Sequence, residues 1–206
     1  MSTVYTVGHS THELDYFINL LKPYSIDILI DVRSMPASSY NPQYNKEPFS
    51  YFLKENNIKY LHFGNEFGAR HDDDNYLDKN GVVDFEKYRE SYQFQSGIDR
   101  LDIGISNGHK IVLMCSEGDP LDCHRFSMIS VHLEEIGIGI KHIMKDNTLL
   151  SHTELEKELI KKYDRKLPKP DLFNQNIGAK DQLKKAYELH NKEIGWKNEN
   201  KNFGEF

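Results

Sequence analysis

Ile111-Val112-Leu113-Met114-Cys115-Ser116-Glu117-Gly118-Asp119-Pro120-Leu121-Asp122-Cys123-His124-Arg125 is the stretch on which the reading of this chain turns. An apolar run opens it as a buried strand, a loop of Gly, Pro and Asp follows, and Phe126 to Ile136 carries apolar residues at helical spacing. Asp122 stands where a helix cap belongs, which puts Cys123, His124 and Arg125 in the first turn. Backbone N–H groups at such a start acidify a thiol and attract an anion. Taken singly, each residue has a plain structural reading: Cys115 as a small buried hydrophobe, Asp122 as a cap, His124 and Arg125 as solvated groups. Thiols, acids, a base and a cation together in one loop are what mark a site.

Upstream, Val4 to Gly8 reads as a strand, and Ser10-Thr11-His12-Glu13 has capping-box spacing for a helix running from Leu14 until Pro23. Ile26 to Val32 is an aliphatic run suited to a parallel strand buried on both faces, with Asp31 and Arg33 at its carboxyl end. Tyr40 to Lys46 has no period; its amides and phenols suit either turns or the edge of a base or sugar. A helix from Pro48 to Asn56 and a strand from Ile58 to Phe63 follow. His71 beside three aspartates reads as a solvated acidic loop, because neighbouring side chains on an irregular loop rarely converge on a metal. Helical spacing returns over Phe85 to Tyr92 and Phe94 to Ser106.

Downstream, Ile138 to Met144 gives a further strand and Leu149 to Tyr163 a helix. Lys166-Leu167-Pro168-Lys169-Pro170 then reads as a linker into a Lys/Asn-rich tail with one weak helical patch near Leu183 to Leu189. The expected organisation is one α/β domain over residues 1–165, with a mainly parallel sheet of about five strands flanked by helices. Residues 166–206 are expected to form a polar extension outside its core. Crossover helices make successive strands run the same way, so His9, Asp31 with Arg33, and Cys115 with Glu117 should meet at one sheet edge.

A length of 206 residues allows one sizeable core plus an appendage, and the mean hydropathy of −0.68 fits a soluble chain with no run of membrane-spanning length. No export segment is recognised, so the expected location is the cytoplasm, where two cysteines favour catalysis, ligation or burial over a structural disulfide. The net charge of −6 argues against nonspecific coating of nucleic acid, while a local basic cleft is compatible with it. Oligomeric state is not legible.

Several pieces, in this order, resemble the DUF488 family. They are Thr6-Val7-Gly8-His9-Ser10-Thr11, Leu29-Ile30-Asp31-Val32-Arg33-Ser34-Met35-Pro36, Asn41-Pro42-Gln43-Tyr44-Asn45-Lys46, and Leu113-Met114-Cys115-Ser116-Glu117 with Cys123-His124-Arg125. The resemblance implies an α/β domain with a polar cluster at His9, Ser10, Asp31, Arg33, Asn41, Asn45, Cys115, Glu117, Cys123, His124 and Arg125. It implies no reaction and assigns nothing to the tail. A weaker likeness to rhodanese-type sulfurtransferases and cysteine phosphatases rests on the Asp-Val-Arg strand end and the strand-Cys-loop-helix unit. It departs where Glu117, Asp119 and Asp122 follow Cys115, since carboxylates repel a sulfate- or phosphate-like group.

The first functional expectation is an enzyme, a hydrolase or transferase, acting on an anionic, nucleotide-like or nucleic-acid-derived substrate. Arg33 and Arg125 would hold the anion, Glu117 or Asp31 would serve as general acid or base, and His9 or His124 would move a second proton. Ser10, Asn41, Asn45 and Cys123 would contact the remainder, with Cys115 as a candidate nucleophile. No cofactor and no metal are assigned. A zinc set of Cys115, Cys123, His124 and His9 ranks second, because adjacent Cys and His rarely reach one ion and no second CxxC pair is present. The alternatives to the enzyme are a non-catalytic module that binds a small anion or nucleotide, and rhodanese-like thiol chemistry at Cys115.

Overall fold

In a computed structural model that describes residues 2–170 and 177–199, six strands form one sheet in the order β3-β2-β4-β1-β5-β6. They are β1 (Thr3–Gly8), β2 (Ile28–Asp31), β3 (Lys59–His62), β4 (Ile111–Cys115), β5 (Gly139–Ile143) and β6 (Leu149–Ser151). All pairings are parallel except β5 with β6. Strands β2, β4 and β1 are therefore neighbours at the centre, and their carboxyl ends open side by side.

Alternation along these strands divides the core into two layers. Val7, Leu29, Val112 and Met114 pack with Phe17, Leu21, Phe49 and Leu53 of α1 (Leu14–Leu21) and α2 (Lys46–Glu55). Ile28, Ile30, Leu113 and Cys115 face the other layer, built from α3 (Gly64–Phe67), α4 (Phe85–Arg89), α5 (Tyr92–Ser106) and the helix after the central loop. That last helix begins as a π-helix over Arg125–Ser130 and continues as α6 (Val131–Glu135). Ser130 Oγ donates to the Arg125 carbonyl five residues back at 2.7 Å, supporting the wider turn.

The structure differs from the sequence reading at four places. Ser10 does not cap α1; Glu13 holds the cap position, without a side-chain bond. Ser10 instead has φ of 49° and donates its N–H to the Ser116 carbonyl, so the central loop pulls it out of capping geometry. Asp122 does not cap the following helix either. It ends a 3-10 turn, Pro120–Asp122, whose cap is Asp119, and the cap position falls to Cys123, which is extended at φ −137°, ψ 140°. The helix expected from Leu149 starts only at His152, because a turn with Asn147 at φ 64° folds Leu149–Ser151 back as β6. Ser151 and Glu154 then form the capping box of α7 (His152–Tyr163).

The fourth difference concerns the tail. Helix α8 (Ala179–Ile194) lies on α7, burying Ala186 and His190 against Phe126, Leu155, Leu159 and Tyr163. Its last residue, Ile194, and Trp196 beyond it pack on the core cluster, and the Trp196 carbonyl accepts the Val83 N–H at 3.0 Å. Its apolar face answers a groove that the first 165 residues leave uncovered, so it lies inside the packing rather than outside it. Among the described residues no helix is long and apolar enough to cross a membrane.

Candidate functional site

The carboxyl ends of β1, β2 and β4 carry two polar half-networks, one on each face of the sheet edge, joined at Arg33. Asp31 and Cys115 are the last residues of β2 and β4, and strand alternation sends Asp31 toward the α1–α2 layer and Cys115 toward the opposite one.

On the first face Asp31 is fully buried and accepts from Arg33 Nε at 2.9 Å, Arg33 Nη2 at 2.5 Å, the Arg33 backbone N–H at 3.0 Å and the Tyr60 hydroxyl at 2.8 Å. Arg33 Nη2 also donates to the Tyr44 carbonyl at 2.7 Å, and Nη1 lies 3.2 Å from His9 Nε2. A guanidinium has five N–H groups, so at most one remains for anything in the cleft. His9 Nδ1 sits 2.7 Å from the Ser10 carbonyl and its ring stacks on Tyr44 at 4.1 Å. With Nδ1–H donating there, Nε2 accepts from Arg33, which is the neutral ring. Burial, followed by the Arg33 charge, holds its pKa down at about 4. His9 and Asp31 thus aim Arg33, and both are already occupied by that task.

On the second face Cys115, Cys123 and His124 are all buried. Cys115 Sγ is 3.0 Å from Glu117 Oε2, and His124 Nδ1 lies 3.8 Å from Cys115 Sγ and 3.7 Å from Cys123 Sγ. His124 Nε2 faces the Val32 carbonyl at 3.3 Å. Cys123 Sγ accepts the Arg125 backbone N–H at 3.4 Å, as a capping oxygen would. Burial pushes the Cys115 thiol well above its ordinary range, and the neighbouring Cys123 adds to this. Burial acts the same way on Cys123, but the hydrogen bond from Cys115, the Arg125 charge and His124 outweigh it and hold Cys123 well below. Glu117 is exposed as a residue while its carboxyl end leans onto the buried sulfurs. Lost hydration and then the Cys123 charge raise its pKa.

Arg125 is fully buried behind this loop, with Nη1 on the Glu117 carbonyl at 2.6 Å and Nη2 on the Gly118 carbonyl at 3.1 Å. It braces the loop from inside, so the cleft has no access to it. The helix start is likewise turned to the Cys123 sulfur rather than outward. Gly8 permits the crossing, because a Cβ there would overlap the Glu117 carbonyl oxygen.

The cleft between these elements has a volume of about 230 Å³ and is lined by Arg33, Cys115, Glu117, Cys123 and His124 of the expected set. Ser10 stays beside Gly118, outside the lining. Asn45 Oδ1 pins the Ser38 N–H at 2.6 Å, and Asn41 donates its N–H to Ser38 Oγ, so both shape their own loop. Two further lining residues escaped sequence reasoning, Arg70 and Trp196. Arg70 is exposed, and among the described residues its guanidinium meets the Met35 sulfur at 3.9 Å. Trp196 is the chain's one tryptophan. Its being single was the available signal, hidden by the polar tail around it. His71 stacks on Tyr88 at 3.6 Å and bonds the Gly68 carbonyl, while Asp72, Asp73 and Asp74 are exposed. A larger groove of about 800 Å³ between α4, α6 and α8 contains none of the strand-end residues.

A family model described as "Domain of unknown function DUF488" matches residues 13–131, more than half of the chain. The chain belongs to the DUF488 family. No curated protein matches it. The matched span covers α1 through the start of α6, hence Asp31, Arg33 and the whole thiol-bearing loop, and it leaves out β1 with His9 and Ser10 at one end and α7 and α8 at the other. Within this DUF488 chain, Trp196 therefore reaches the cleft from beyond the family's span.

Proposed function

We propose that the protein is an enzyme, a hydrolase or transferase, acting on an anionic, nucleotide-like substrate bound in the cleft at the strand ends. The observation that carries this is Glu117: a solvent-reachable carboxyl anchored on buried sulfurs and raised in pKa, in a cleft whose walls include Arg33, Arg70, Asp122 and Trp196. A carboxyl so tuned keeps its proton nearer neutrality and can give it to a leaving group or take it from water. Arg70 supplies the accessible positive charge that Arg125 does not, and the remaining N–H of Arg33 adds a directed donor. Trp196 offers a ring face for a base or sugar.

Size narrows the reading. Whole small-molecule sites usually run from about 300 Å³ upward. A cleft of about 230 Å³ takes one ring or one sugar with its anionic group, the rest of the ligand lying outside. That fits a mononucleotide, a phosphosugar or an end of a strand better than an enclosed dinucleotide. Rhodanese-like attack by Cys115 is less well supported: its thiol is pushed up and Glu117 sits directly upon it, where a sulfur or phosphorus oxyanion would have to approach.

The test is Glu117→Gln, assayed for turnover and for ligand-induced stabilisation on the same panel of nucleotides and phosphosugars. Turnover should fall by roughly 10²- to 10⁴-fold with stabilisation retained, the size of a lost proton-transfer group. Unchanged turnover would remove Glu117 from the chemistry. Stabilisation without product in the wild type would make the protein a binding module.

A further inference from the structure

We infer that Cys115, Cys123 and His124 form a binding site for Zn²⁺ whose fourth coordination position opens into the cleft beside Glu117. Among the described residues they make the one group of at least three His, Cys, Asp or Glu donors within 4.8 Å of one another. A tetrahedral ion with Zn–S near 2.3 Å and Zn–N near 2.05 Å requires a sulfur-to-nitrogen edge of about 3.6 Å. The two observed edges, 3.8 and 3.7 Å, come within a few tenths of an ångström of that without any backbone rearrangement.

His124 Nδ1 lies at nearly equal distance from the two sulfurs, an arrangement in which one ion can contact all three atoms. His124 is also prepared as a ligand. Its Nε2 faces the Val32 carbonyl at 3.3 Å, which fixes the tautomer and leaves Nδ1 free to coordinate. Cys123 has its own outer support in the Arg125 N–H.

Adjacent Cys and His side chains seldom reach one ion, and the break in the chain explains why these do. Cys123 is extended and His124 is already helical at φ −59°, ψ −23°, so the backbone corner between them turns both side chains to the same side. Cys115 meets them from the end of β4, one residue past the register where Met114 pairs with Asp31. Charges also balance. Two thiolates offset the charge of the ion.

All three ligands line the cleft, so a water, a substrate atom or Glu117 would complete the coordination. Three protein ligands with one open position is the pattern of reactive rather than purely structural zinc. The inference does not depend on the substrate class.

It is tested on the full reduced chain, purified with a tag that contains no histidine, loaded with ZnCl₂ and dialysed exhaustively. About one equivalent of zinc per chain should remain, and both thiols should resist a disulfide reagent until a chelator is added. Titration with Co²⁺ should give a thiolate-to-cobalt charge-transfer band with intense tetrahedral d–d absorption. His124→Ala should lose most of the bound metal. Should that variant fail to fold, the wild-type cobalt spectrum decides alone. Less than half an equivalent of zinc with freely reacting thiols and no cobalt band would overturn the inference, as would a Cys115–Cys123 disulfide that persists under reducing conditions. Loss of zinc binding would leave the Glu117 turnover test intact, and the failure of that test would leave the zinc result standing.

Discussion

Two buried arginines flank the strand ends with opposite tasks: Asp31 and His9 aim Arg33 at the cleft, while backbone carbonyls hold Arg125 behind the loop. That difference depends on Tyr44, Tyr60 and Gly8, residues whose part in the network no local pattern announces. His9 carries a consequence for acid stability. Its pKa is near 4 in the folded protein against about 6.5 when unfolded, so the unfolded state takes up the proton first as pH falls. Stability should therefore be full above pH 6.5 and drain away toward pH 4, by roughly 3 kcal/mol from this ring alone. His152, held down at about 3, and His142 act in the same direction, while the raised Glu117 acts in the opposite one. Urea unfolding of wild type and His9→Gln at pH 7 and pH 4.5 checks this. The variant should lose less stability on acidification, and equal losses would contradict the buried neutral ring.

At the scale of elements, the strand-loop-helix unit was plain in Ile111 to Arg125, but its capping was not. Sequence preference gives the cap to an aspartate, whereas the 3-10 turn absorbs Asp119 and Asp122 and leaves a cysteine sulfur to accept the helical N–H. Strand β6 is hidden in the sequence for a related reason. Leu149 and Leu150 fit the helical spacing of the residues after them, and only the turn at Asn147 ends the preceding strand early enough to form a hairpin. The close passage of the central loop over β1 makes one position decisive. Gly8→Ala would drive a methyl group into the Glu117 carbonyl, and backbone cannot yield as a side-chain tip can. The expected loss is about 3 kcal/mol, at the upper end of overpacking effects, and is measured as a shift in the urea midpoint. A neutral substitution would mean that the loop does not cross β1 as described.

Over the whole molecule, a parallel sheet with a central β2-β4-β1 trio explains why three segments far apart in sequence end at one edge. The order of strands and helices made that much legible, because crossover connections leave little freedom of direction. The tail was another matter. Its lysines and asparagines read as solvent-facing, and the apolar stripe of α8 gains meaning only against the groove beside α7, which no one-dimensional pattern displays. Through Trp196 this extension supplies one wall of the cleft from beyond the family's matched span. The most direct measurement is the melting temperature of the full chain against a panel of nucleoside monophosphates, phosphosugars and uncharged nucleosides, repeated with Trp196→Ala. An anionic member should raise the wild-type melting temperature, equivalent to roughly 2.7 kcal/mol at a hundred times its Kd, with the shift largely lost in the variant. No shift with any anionic member, or the same shift without the tryptophan, would contradict a nucleotide-like site at these strand ends.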